Sequence, residues 1–390
     1  MMMSKTTIPY GRQSISEEDI QAVIDVLRSD WITQGPAIER FERTVADYCG
    51  TKYAVAVSSG TAALHLACVA AEVGPGSLLW TSPNTFVASA NCALYCGGEV
   101  DFVDIDPVTH NMDAFSLGMK LEGTVPGNFP KAILPVHFAG CSCDMENIYR
   151  LCKDRDITVI EDACHAIGGS YRGAKVGSCR YSDMTVFSFH PVKIITTGEG
   201  GMIVTNNEDT YQRLLRLRTH GITRDGRFMC GLPKGAWYYE QVDLGFNYRI
   251  TDIQAALGIS QLKRIDKFVA RRREIATRYT EALVGLPLIL PREPSYAFSS
   301  YHLYVVRLEL KKIKDTRRVV FEALRDKGIG VNVHYIPVHT HPYYRKLGFK
   351  SGDFPEAERY YAEAISLPIY PGLSETEQDF VISSVRDVLS

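Results

Sequence analysis

The sequence has no long apolar run. Nothing in its 390 residues approaches the roughly 20 apolar positions in a row that a membrane-spanning helix needs. It has no charge excess either: 43 Lys and Arg face 45 Asp and Glu, so no net field favours DNA, RNA or an anionic membrane. The opening MMMSKTTIPYGRQ lacks the apolar core and cleavage pattern of a secretory signal, and a cytoplasmic protein is expected. Internal repeats and low-complexity stretches are absent. So is metal-ligand spacing. Of the ten cysteines, Cys141 and Cys143 form C-x-C and Cys92 and Cys96 form C-x-x-x-C, but no second pair joins either at zinc spacing. In contexts such as LHLACVAA and SANCALYC they read as reduced, buried thiols acting as small hydrophobes. No metal is expected.

What the sequence does have is a rhythm. From Tyr53, short apolar strands alternate with amphipathic helices: YAVAVSS then GTAALHLACVAAEV, LLWTSP then NTFVASANCALYCG, EVDFVDID, AILPVHFAG then MENIYRLCKDRD, and ITVIEDAC. Strands separated by helices of this length indicate a mostly parallel sheet covered on both faces, an α/β fold. After Gly221 the texture changes to a Gly- and aromatic-rich loop. One long helix over TDIQAALGISQLKRIDKFVARRREIATRYTEAL follows, its basic run read as a solvated face. YHLYVVRLEL, a helix over 316–327, IGVNVHYIP and a last amphipathic helix suggest a second, α+β unit. The division expected is a large domain over 12–245 and a smaller one over 246–390, joined by the N-terminal arm 1–11.

Ligands of such sheets sit beyond the carboxyl ends of strands, and three polar clusters fall there. SSGT, residues 58–61, stands between a strand and a helix, where backbone N–H groups and the hydroxyls of Ser59 and Thr61 can hold a phosphate; Ser and Thr are also ordinary N-caps. Asp162 ends ITVIED, where it could equally cap a helix. Ser188 and His190 alternate at the end of DMTVFSF, just ahead of Lys193. Pyridoxal 5′-phosphate (PLP) needs all of these at once: an amine for its aldehyde, a carboxylate for its pyridine nitrogen, a helix N-terminus for its phosphate, and an aromatic face, for which Phe86 is available. Phe86 alone would read as core packing.

Eight blocks in order, TQGPAIERFE, AVAVSSGTAALHLA, TSPNTFVASANC, VDFVDID, EDACHAIGG, FSFHPVKIITTGEGGMIVTN, DLGFNYRITDIQAALGISQL and GIGVNVHYIPVH, resemble the DegT/StrS-type sugar-nucleotide aminotransferases over nearly the whole chain. The resemblance implies the aspartate-aminotransferase-like PLP fold (fold type I). It also implies that Lys193 carries the cofactor through its amine, that Asp162 pairs with the pyridine nitrogen, that Phe86 lies on the ring, and that His165 sits near its phenolic oxygen. Ser59, Gly60, Thr61 and Ser188 would hold the phosphate. Asn247 would reach the phosphate of a partner subunit, which implies a homodimer with shared sites; by itself it reads as a turn residue. Thr33, Gln34, His334 and Tyr335 are implied on the substrate side. TSPNTFVASANCALYCGG and SFHPVKIITTGEGG look most like the branch that uses L-glutamate to aminate C4 of UDP-4-keto-6-deoxy-N-acetyl-L-altrosamine, towards pseudaminic acid. Amination of another nucleotide-linked keto-sugar, at C4 or C3, is the alternative, and a PLP-holding regulatory protein the remote one. Family members that remove a hydroxyl instead carry histidine where this chain has Lys193.

Overall fold

A computed structural model describes residues 7–390; residues 1–6 of the expected N-terminal arm lie outside the described residues. Two helices, α1 (Glu17–Leu27) and α2 (Pro36–Cys49), precede the first strand. The alternating region then runs β1 (Tyr53–Val57), α3 (Gly60–Ala70), β2 (Leu78–Thr81), α4 (Ala88–Tyr95), β3 (Glu99–Phe102), α5 (Ala114–Glu122), β4 (Ala132–Leu134), α6 (Met145–Cys152) and β5 (Thr158–Asp162). Two short strands, β6 (Ser170–Tyr171) and β7 (Ala174–Lys175), lead to β8 (Met184–Ser188), β9 (Gly201–Thr205) and α7 (Glu208–Leu217).

Seven of these strands form one sheet in the order β1-β9-β8-β5-β4-β2-β3, parallel except for β9, which runs against both its neighbours. Residues alternate between faces along each strand. On one face Val55, Leu79, Phe102, Ile160, Val186 and Ile203 pack on α3, α4 and α7. On the other, Ala56, Phe187 and Val204 meet α2 and the later helices, while Trp80, Ile133 and Val159 meet α5 and α6. Burial on both faces is why these strands read as near-continuous apolar runs.

Beyond the loop, whose pair β10 (Ile222–Thr223) and β11 (Glu240–Gln241) closes antiparallel, lie α8 (Asp252–Leu262) and α9 (Ile265–Leu283). The single long helix expected here is broken. Arg264 leaves helical geometry at φ −110°, ψ 3°, and its guanidinium is drawn to Asp19 and the Ser14 carbonyl of the N-terminal segment. Nor is the basic run wholly solvated: Arg272 is buried and donates to the carbonyls of Tyr301, His302 and Ile369, burial pulling its pKa down to about 10.

The remaining elements are β12 (Leu288–Ile289), β13 (Ala297–Phe298), β14 (Tyr304–Leu308), α10 (Arg317–Asp326), α11 (Pro342–Arg345), α12 (Pro355–Glu363), β15 (Ala364–Leu367) and α13 (Glu375–Leu389). Strands β12, β14 and β15 make an antiparallel sheet under α10 and α13. Residues of α8 and the start of α9, to Val269, pack into the core beneath the large sheet, and from Ile275 onward α9 enters the second core. We therefore propose a division inside α9 rather than at residue 245. Among the described residues no helix is long and apolar enough to cross a membrane.

Candidate active site

The carboxyl ends of β1, β8 and β5 point to one edge of the sheet, and a cavity of about 500 Å³ opens there. A larger concavity, about 950 Å³, lies between α1, α2 and α8. Two of its charged groups are engaged in structure: Asp252 accepts from the backbone N–H groups of Gly35 and Ala37, and Arg264 pairs with Asp19. The smaller cavity gathers the chemistry.

Lys193 enters it from a turn. Its backbone N–H donates 2.9 Å to the His190 carbonyl, which puts Pro191 at the second position of a β-turn, where its fixed φ is favoured. Behind the turn, Thr197 N and Thr196 Oγ1 both donate to the Phe189 carbonyl, at 3.0 and 2.9 Å, and tie the loop to the strand. The Lys193 amine has no hydrogen-bond or ion-pair partner among the described residues. Burial lowers its pKa, against the opposing pull of Cys164 and Asp162. The cause is desolvation.

Asp162 ends β5 and is buried. Its Oδ1 accepts from the Cys164 backbone N–H at 3.1 Å and its Oδ2 from Ser89 Oγ at 2.7 Å, with Thr85 Oγ1 a further 2.7 Å behind Ser89. Asp162 thus caps nothing beyond a local turn. Ser59 is indeed the N-cap of α3, accepting from Ala62 N, and buried Gly60 and half-buried Thr61 form its first turn beside Ser188, lining the cavity. A Cβ on Gly60 would stand 2.8 Å from Ser188 Cβ, so only glycine lets the helix end approach that strand. Phe86 is 57% exposed, not core: the helix expected from Asn84 starts at Ala88, leaving Phe86 on a loop at the cavity wall, 6.3 Å from the Tyr335 ring.

From the second unit come His334 and Tyr335. The Tyr335 hydroxyl lies 3.1 Å from His165 Nε2, while His165 Nδ1 is buried with no partner. Burial, then the nearby Lys193 and His334, push the His165 pKa well down, so the ring is neutral; burial and Lys193 bring His334 to about 4. Thr33 and Gln34 do not join the cavity: Thr33 bridges to Thr251, and Gln34 lines a separate hollow with Arg218 and Arg249. Asn247 is also outside it, bridged to Thr219. Ser89, Thr85, Tyr10 and Glu199 line or support the site without having been singled out from the sequence. For Ser89 a signal existed, a lone hydroxyl on the Ala-rich buried face of ASANCA.

The DegT/DnrJ/EryC1/StrS aminotransferase family matches residues 13–386. The chain belongs to this family. The spore coat polysaccharide biosynthesis protein SpsC of Bacillus subtilis is 42% identical over 387 residues, covering 98% of this chain and 97% of that one. Among solved structures, the PMP form of a putative sugar aminotransferase, Spr1654 of Streptococcus pneumoniae, superposes with a TM-score of 0.89 at 32% identity, covering 98% of each chain. Helicobacter pylori PseC, an aminotransferase involved in the biosynthesis of pseudoaminic acid, has a TM-score of 0.89 at 31% identity, over 98% of this chain and 99% of its own. The protein is therefore a PLP-dependent sugar aminotransferase of fold type I. Its residues fit the cofactor on their own evidence: an unpartnered amine, a carboxylate held from behind, a bare helix N-terminus, an exposed aromatic ring and an orphaned buried imidazole nitrogen share one cavity.

Proposed function

We propose that this aminotransferase moves the amino group of L-glutamate to C4 of UDP-4-keto-6-deoxy-N-acetyl-L-altrosamine, in the cytoplasm and as a homodimer with shared sites. The observation that carries the reading is the Lys193 amine, unpartnered and with its pKa lowered by burial, in the same cavity as the clamped Asp162. When bound, PLP supplies an electron sink for the carbon that loses its proton. Lys193 is the base that takes this proton and returns it. Asp162 accepts the pyridine N–H as a charge-assisted hydrogen bond. The first turn of α3, with Ser59, Thr61 and Ser188, holds the phosphate against the helix dipole, and Phe86 covers the ring. His165, kept neutral, presents Nδ1 as a donor or acceptor to the cofactor's face of the cavity. Two half-reactions in one site imply ping-pong kinetics.

The shared site is supported by Asn247 lying outside its own cavity and by exposed apolar side chains nearby in sequence, Trp237 at 74% and Leu244 at 82%. The choice of sugar is supported by the likeness to PseC and by the Pro191 turn, which fixes the amine relative to the substrate carbon; a misplacement of about 1 Å can cost ~10²-fold. A second reading, amination of a different nucleotide-linked keto-sugar, is favoured by the higher identity to SpsC. The test is kcat/KM with glutamate for the L-altro ketone and for its D-configured 4-keto-6-deoxy-N-acetylglucosamine isomer. A preference for the L-altro ketone supports the proposal. Equal values, or a preference for the D-isomer, refute the substrate assignment.

A further inference from the structure

The face of the large sheet turned away from the cavity carries a buried carboxylate. Glu161 and Asp162 are consecutive on β5, so their side chains leave opposite faces. Asp162 lines the cavity and Glu161 does not. Both Glu161 oxygens are engaged behind the sheet: Oε2 lies 2.6 Å from His137 Nε2, while Oε1 accepts from Thr185 Oγ1 at 3.0 Å and from Ser182 Oγ. His137 and Thr185 are fully buried and Glu161 is 5% exposed. The Cys143 backbone N–H donates 3.2 Å to His137 Nδ1, so the ring proton sits on Nε2 and is donated to the carboxylate. Burying a carboxylate is costly unless donors meet it, and apolar side chains of similar volume often stabilise a core equally well. What the polar pair supplies and an apolar one cannot is direction.

His137 reaches the site through its backbone. Its N–H donates 3.0 Å to the Asp162 carbonyl, and the Asp162 N–H donates 2.9 Å to the Pro135 carbonyl, so residues 135–137 prolong β4 alongside the end of β5. Phe138, next in the chain, holds its ring 6.2 Å from His165 and 6.3 Å, edge-on, from Tyr335. We propose that His137 and Glu161 are positioning residues for the aminotransfer: from behind the sheet they fix the carboxyl end of β5, and with it the direction of Asp162, before the cofactor arrives. The inference rests on the reading that Asp162 serves the pyridine nitrogen. Ser89 orients the carboxylate from the cavity side, and the pair behind the sheet orients the backbone from which that carboxylate hangs. The imidazole is the joint of the arrangement. One nitrogen closes the loop back from Cys143, the other is anchored on β5, and the residue's own N–H holds the Asp162 carbonyl.

The experiment separates the two hydrogen bonds of the ring in the full-length protein. In His137→Gln the amide nitrogen can stand where Nε2 stood and still donate to Glu161. In His137→Asn the amide oxygen can stand where Nδ1 stood and still accept from Cys143, but the link to Glu161 is lost. Glu161→Gln keeps an acceptor for His137, and the Ser182 and Thr185 hydroxyls can turn to meet its amide. PLP affinity, titrated by the absorbance band near 420 nm, should stay within about twofold of the parent in His137→Gln and Glu161→Gln. In His137→Asn it should weaken roughly five- to tenfold, an indirect loss smaller than that of a hydrogen bond to the carboxylate itself. There kcat should fall alongside, with KM for the keto-sugar unchanged. A measurement on the unmutated protein guards against variants that fail to fold. Without cofactor, the Asp162 and His137 amides should already exchange slowly with deuterated water, and adding PLP should change their rates by less than about twofold. Amides protected only once PLP binds, equal losses in His137→Gln and His137→Asn, or a His137→Asn protein that melts earlier yet binds PLP like the parent, would each overturn the proposal. Asp162→Asn tests the underlying reading separately: if the band and the affinity survive it, Asp162 does not serve the cofactor and the pair behind it has nothing to position.

Discussion

Replacing Ser89 by alanine removes one oxygen from behind the Asp162 carboxylate. The hydroxyl donates 2.7 Å to Asp162 Oδ2, and both residues are buried, Ser89 at 1% exposure and Asp162 at 4%. A hydrogen bond to a charged group is worth about 1.5–3 kcal/mol net. Asp162 keeps the Cys164 backbone N–H on its other oxygen, so the lower part of that range applies, about 1.5–2 kcal/mol, or roughly 10–30-fold. The loss falls on the orientation of the carboxylate towards the pyridine nitrogen. It should therefore appear in kcat, measured as 2-oxoglutarate release, and in PLP affinity, titrated by the absorbance band near 420 nm. Thr85→Ala reaches Asp162 through Ser89, since Thr85 Oγ1 is hydrogen-bonded 2.7 Å from Ser89 Oγ, and should lose less on both readouts. Circular dichroism of each variant separates a local effect from unfolding. If Ser89→Ala stays within twofold of the parent in both quantities, or if Thr85→Ala is the worse of the two, the clamp has no bearing on the cofactor and the reasoning fails.

Three further outcomes are expected. Lys193→Ala should lose the 420-nm band and at least ~10²–10⁴-fold in turnover, the usual worth of a proton-transfer group; retention of a tenth of the activity without added amine would contradict the assignment. Lys193→Met should raise the melting temperature of the cofactor-free protein near neutral pH. The lysine's pKa is lowered on folding, so its protonated form costs stability in full below the folded value, and that cost fades as pH rises towards the unfolded value near 10.4; the difference between the two proteins must narrow over the same window. Mixed Lys193→Ala and Asn247→Ala subunits should recover activity after exchange, because one heterodimer site escapes both lesions; no recovery would mean that Asn247 serves its own chain or lies away from the phosphate.

The strands and their order of chemistry were legible because burial leaves a local mark. Apolar runs of four or five residues, each closing on Ser, Asp or Ser again, announce both the sheet and its carboxyl edge, and Ser59, Asp162, Ser188 and Lys193 come together there. Direction leaves no such mark. GMIVT reads like any other strand, and only its pairing with β1 and β8 reveals that it runs the other way. The break at Arg264 lacks the glycine or proline that would signal it, since the cause is Asp19, 245 residues away. Arg272 misled for a related reason: a guanidinium in a basic run looks solvated until three carbonyls from other segments are placed around it.

The same distinction governs the site itself. Groups that PLP demands by type, an amine, a carboxylate, a helix end, can be found one at a time because each stands at a strand terminus. Groups that hold those residues in place cannot, because their significance exists only across the fold. Ser89 is 73 residues from Asp162 and Tyr335 is 170 from His165, and in sequence the first is a small residue on an alanine-rich helix while the second is an aromatic in an apolar run. Thr33 and Gln34 show the converse. The block TQGPAIERFE that contains them matches the family, but in one chain it faces a different hollow from Lys193. If those two residues do meet substrate, they meet the partner's, as Asn247 is proposed to do. The subunit-exchange assay applied to Gln34→Ala decides it: complementation with Lys193→Ala would put the N-terminal block on the neighbour's site, and failure would leave it a structural contact beside Arg218 and Arg249.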